Sequence, residues 1–127
     1  MNAHRKELTG LLRCWAKGIV FAKANPDAAL RLFIKAAPQA KPPNLSMEEF
    51  MTRSKRTFAA FMANVAHETD KPYGWHNPEQ WRTSHKFFAD TGVIKGTKKP
   101  EDSYTNEFIE EANRFDVDAI RNLAAKS

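Results

Sequence analysis

The chain is 127 residues long, 42% apolar and 28% charged, with a net charge of +5 and one cysteine. That length holds one hydrophobic core and excludes two, and a lone cysteine excludes both an intrachain disulfide and a cysteine-built zinc site. The positive charge is dispersed, with no run of five or six basic residues, and no apolar stretch approaches the roughly 18 residues of a membrane span. Fourteen aromatic residues, nine of them Phe, supply most of the burial, since each ring removes roughly 150–250 Å² from water.

In chain order, every long segment reads as helix. From Arg5 to Ala24 the apolar residues Leu8, Leu11, Leu12, Trp15, Ile19 and Ala22 recur at three and four positions, predicting one buried stripe. Cys14, beside Trp15, is expected in the core. Asn25 offers an N-cap and Pro26 a first helical residue that needs no N–H, so a second helix starts there with Leu30, Phe33, Ile34 and Ala37 on its face. Pro38, Pro42 and Pro43 mark a stiff connector. Ser46 and Glu49 form a capping box with Leu45 and Phe50 as a hydrophobic staple. A third helix follows, presenting Phe50, Met51, Phe58, Phe61, Met62 and Val65.

Asn77, Pro78 and Gln80 repeat the same start for a fourth helix, which carries Trp81, His85 and Phe88 on one side. Gly92 is placed to end it in a Schellman motif closed by Val93 on Phe88. Ile94 to Ser103 reads as a polar loop. Two short faces come last, Phe108, Ile109, Ala112 and Phe115, then Val117, Ile120, Leu123 and Ala124. No strand alternates convincingly. The expectation is a single helical domain over 1–127, all-α, with five to six helices.

No enzyme signature is present: no phosphate-cradling glycine loop, nucleophile elbow or HExxH pair. His67 with Glu68 lacks a second histidine at helical spacing, and His4, His76 and His85 do not form a ligand set, so no metal and no cofactor is expected. His85 is expected to pack beside Trp81 and Phe88 with one ring nitrogen hydrogen-bonded. The basic residues of the first and third helices are interrupted by acidic ones and read as a solvated surface. Nucleic acid is therefore not the expected partner. Tyr73, Trp75 and His76, with Trp81 close by, are the candidate ligand-binding residues, because rings beside a Gly and a His can line a cleft and orient a small ligand. The same residues also suit plain packing at a helix start.

One string is more particular than a helical pattern, YTNEFIEEANRFD from Tyr104 to Asp116. With ANPDAALRLFIKAAPQAKP (Ala24 to Pro42) and YGWHNPEQWRTSHKFFADTGVI (Tyr73 to Ile94), it resembles the C-terminal portion of the solute-binding proteins of bacterial ABC importers of the nitrate, sulfonate and taurine type, a family that includes the thiamine-pyrimidine proteins. The resemblance spans nearly the whole chain but only the last third of such proteins, whose two lobes at about 150 residues each need roughly 300. It implies an α/β two-lobed parent of the type II periplasmic-binding kind, a small solute held between the lobes mainly by earlier segments, and an ABC permease as partner. It also implies a periplasmic location, whereas the chain as written, starting MNAHRKELTG without a signal peptide, would stay in the cytoplasm; Met1 is then expected to be an internal or engineered start. Helix faces that the parent's sheet would cover are expected to drive self-association of the isolated chain. The alternative is a free-standing helical interaction module, one that binds nucleic acid through its basic helices.

Overall fold

The computed structural model describes residues 4–64, 71–95 and 98–127; Val65, His67 and Glu68 lie outside the described residues. It is all-α. Six α-helices occur among the described residues: α1 Arg5–Ala24, α2 Pro26–Ala36, α3 Met47–Asn64, α4 Pro78–Asp90, α5 Ile109–Ala112 and α6 Val117–Ala125. Two 3-10 turns, Pro38–Ala40 and Pro100–Ser103, complete the set. The second falls within the stretch expected to be an unstructured polar loop, and it is held by Asp102, whose carboxylate accepts the Lys99 N–H at 3.1 Å.

The helix boundaries follow from local chemistry. Asn25 closes α1 by donating its N–H to the Phe21 carbonyl at 2.9 Å. Its side-chain oxygen opens α2 by accepting the Ala28 N–H at 3.0 Å, with Pro26 in the first turn. At α3 the capping box is reciprocal, Glu49 N–H to Ser46 Oγ at 3.2 Å and Ser46 N–H to Glu49 Oε2 at 3.0 Å. Asn77 caps α4 by accepting from the Glu79 and Gln80 N–H groups. Gly92, at φ +72°, ends α4 as expected: its N–H reaches Ala89 O, and the Val93 N–H reaches Phe88 O at 2.9 Å. Asp116 caps α6 through the Ala119 N–H at 2.9 Å.

The Glu49 box makes a pH prediction. Hydrogen bonds from the Ser46 backbone and then its hydroxyl, with Arg53 adding attraction, hold the Glu49 carboxyl below the usual carboxylate range. A depressed folded value means that the carboxylate's contribution is present above the unfolded carboxyl value and fades as pH falls through the folded one. The helicity of α3 should therefore drop on acidification below about pH 4.3. In Glu49→Gln that component of the acid transition should be missing by circular dichroism; an identical acid limb in both proteins would contradict the assignment.

α1 is the hub, packed against α5, α6 and α2, while α3 packs on α2 and α4 on the Pro100–Ser103 turn. The core is built around small side chains. Ala16, Val20, Ala28, Ala112 and Ala124 are buried together with Leu30, Phe50, Phe108 and Ile109, so the backbones of α1, α5 and α6 approach closely. This corrects the expected stripe on α1. Its buried residues are Thr9, Ala16 and Val20, whereas Leu11 is 68% and Trp15 49% exposed. Cys14 is exposed, not a core residue. The reason is that α5 and α6 lie along the small-residue side of α1, and among the described residues no comparable layer covers the side bearing Leu11 and Trp15.

The same imbalance recurs elsewhere. Phe33, Phe61, Phe87 and Phe88 are 43–60% exposed.

Candidate functional site

Tyr73, Trp75 and His76 sit on the loop that enters α4, and each is half-buried. The loop is shaped by Gly74, at φ +85°, where a Cβ would lie 3.3 Å from Ile109 Cδ1 and 3.5 Å from a ring carbon of Trp15. Only a residue without a side chain fits both that backbone conformation and that approach.

Two asparagines of the tail hold the loop from outside. Asn113 accepts the Tyr73 N–H and donates to the Tyr73 carbonyl, both at 3.0 Å. Asn106 does the same at His76, accepting its N–H at 2.8 Å and donating to its carbonyl at 2.9 Å. Each side-chain amide thus plays the part of a neighbouring strand, satisfying a donor and an acceptor that a loop would otherwise leave to water. Asn113 also donates to Ile109 O at 2.8 Å, which ties the clamp to α5.

Among the described residues, Tyr73 and His76 line different hollows and Trp75 lines neither of the two. The His76 Nδ1 accepts the Trp81 indole N–H at 3.3 Å, which places the imidazole proton on Nε2. Its ring stands against Trp81 and Tyr104, whose own rings stack with centroids 5.3 Å apart. His76 and Tyr104 border a hollow of about 430 Å³ shared with Leu12, Gly74, Asp102, Phe108 and Ile109. Tyr73 instead lies under the Lys23 ammonium, 5.9 Å from its ring centroid, and lines a separate hollow of about 370 Å³ with Val20 and Arg121. Trp75 borders neither and has the Lys71 ammonium over its ring at 5.3 Å. His85 is half-buried, but its ring makes no hydrogen bond among the described residues, contrary to expectation.

A larger groove of about 680 Å³ runs between α2 and α3. It is lined by Leu30, Phe33, Leu45, Phe50, Phe58 and Phe61, with Arg53, Ser54 and Thr57 as its polar members. The capping-box staple, Leu45 with Phe50, forms part of its floor, so local helix-start chemistry and the groove share residues.

Several α1 cations read as solvated are in use. Arg5 donates to the Glu107 carbonyl at 3.0 Å, lies 3.5 Å from the Glu111 carboxylate and covers the Phe108 ring at 4.9 Å. Arg13 donates to the Glu111 carbonyl at 2.9 Å, near the C-terminal end of α5 where unpaired carbonyls favour a cation. Arg13 Nε and Thr9 Oγ1 are buried without a partner among the described residues.

No group of three or more His, Cys, Asp or Glu side chains that could hold a metal occurs among the described residues. No helix among them is long and apolar enough to cross a membrane. Comparison with protein-family models, with curated proteins and with solved structures returned no match to this chain.

Proposed function

We propose that this chain is the C-terminal part of the solute-binding protein of an ABC importer, of the nitrate, sulfonate and taurine or thiamine-pyrimidine class. The intact protein would bind a small solute between two lobes, close about a hinge and present the solute to a membrane permease from the periplasm. It carries out no chemistry in this reading.

The observation that supports it is the behaviour of the tail. The string on which the resemblance rests, Tyr104 to Asp116, is the segment that docks: Phe108, Ile109 and Ala112 are buried, Asn106 and Asn113 hold the 73–76 loop, and Arg5 and Arg13 of α1 bind its carbonyls. Such a signature serves packing rather than solute contact. Meanwhile α2, α3 and the end of α4 leave apolar surface uncovered, which suits a helical layer that lies on a further part of a protein. A nucleic-acid module is less well supported, because Arg5 and Arg13 are occupied by the tail.

The test is osmotic-shock fractionation of the source cells with an antibody raised against this chain. A periplasmic band of about 300 residues is expected. A cytoplasmic band at 14.5 kDa would overturn the reading. Isothermal titration of the isolated chain with taurine, alkanesulfonates or nitrate should show no heat, since one part of a two-lobed clamp cannot close on its solute.

A further inference from the structure

We infer that Asn106 and Asn113 are a two-point latch that joins a separable arm, α4 with the Pro100–Ser103 turn, to the α1–α5–α6 body. The inference rests on geometry and stands whether or not the transport reading does.

The arm is coherent within itself. Among the helices and turns, α4 packs chiefly on the Pro100–Ser103 turn. Arg82 joins the two through Glu101 at 3.1 Å, and Trp81 stacks on Tyr104 at the end of that turn. The tip of α4 is not anchored by burial: Phe87 is 60%, Val93 68% and Ile94 39% exposed.

Among the described residues the connection to the body runs through the 73–76 loop. Gly74 is pressed against Ile109 and Trp15, and on either side of it the backbone is gripped by one asparagine. The grip at Tyr73 comes from Asn113, the residue that caps the C-terminal end of α5, and the grip at His76 from Asn106, just ahead of α5. His76 then hands the position on to α4 through the Trp81 indole. Four hydrogen bonds from two side chains thus hold the loop that leads into α4 on either side of the Gly74 contact, whereas α1, α2, α5 and α6 share a buried apolar core. Polar contacts of this kind are worth modest free energy each and break without opening a core. Asn106 and Asn113 are positioning residues: they set where the His76, Trp81 and Tyr104 cluster and the α4 tip are presented.

Native-state hydrogen exchange of the full 127-residue chain tests this. In Asn106→Ala the amides of Tyr73, His76 and α4 should exchange about tenfold faster, while those of α1, α2 and α6 keep their protection. Asn113→Asp keeps the acceptor for the Tyr73 N–H and loses both donated bonds, so it should give the same local pattern at Tyr73 and α4 and serves if the alanine variant is poorly folded. Tyr104→Ala separates the latch from the arm: α4 should loosen while the Tyr73 and His76 amides stay protected. The proposal is overturned if α4 and the body lose protection together, which would make them one cooperative unit, or if α4 is unchanged in both asparagine variants.

Discussion

Replacing Phe108 with alanine is expected to lower stability by about 3–5 kcal/mol, a large fraction of the roughly 5–15 kcal/mol that holds a domain together. Phe108 is 5% exposed and stands immediately ahead of α5, roofed by the Arg5 guanidinium at 4.9 Å. It borders the hollow that Leu12, Tyr104 and Ile109 also line, and Ile109 beside it is buried as well. Truncating the ring removes its burial and leaves a cavity, and the cost follows how far the surroundings can collapse into it. Arg5 would also lose the aromatic face below it. Urea denaturation followed at 222 nm checks this, and a loss smaller than about 1 kcal/mol would mean that the tail is not part of the cooperative core.

Gly74→Ala is expected to lower stability by about 2–4 kcal/mol through two separable causes. A left-handed backbone costs an L-residue roughly 1–2 kcal/mol, and the new methyl group would crowd Ile109, a residue only 6% exposed. Gly10→Ala is the contrasting substitution. Gly10 lies inside α1, and a Cβ there would meet no other part of the protein within 4 Å beyond its own helix backbone, so alanine there should stabilise by roughly 0.5–1 kcal/mol. Opposite signs for the two changes, in the same denaturation experiment, would show that the loop conformation rather than generic glycine loss sets the effect; equal signs would refute it.

Helix starts and stops were legible in the sequence because they are short-range. Asn25, Ser46 with Glu49, Asn77 and Gly92 each act within a few residues of themselves, and each does in the structure what its spacing predicts. The buried side of α1 was not legible in the same way. Leu11 and Trp15 satisfy helical periodicity as well as any core pair, yet the face is decided by partners about a hundred residues away, which chose Thr9, Ala16 and Val20. Cys14 was misplaced for the same reason. The candidate loop was half legible: aromatic rings near Gly74 pointed to it, but not the split of Tyr73 and His76 between two hollows. Nor did any periodicity signal the asparagine clamps, since a side-chain amide bonding backbone 30 or 40 residues away leaves no pattern. Their only trace was the particularity of the tail string in which both occur.

The pairing of α1 with the tail also governs when the chain can fold. Arg5, Arg13 and Asn25 bond carbonyls 102, 98 and 99 residues further on. During synthesis α1 therefore emerges long before the residues that cover it, at a pace of about 5–20 residues per second. Its small-residue side stays open to water or to chaperones until α5 and α6 leave the ribosome. Closure of α1 is then a late event rather than a progressive one, and a ribosome stalled anywhere before residue 108 would hold an α1 whose small-residue side has nothing to close on.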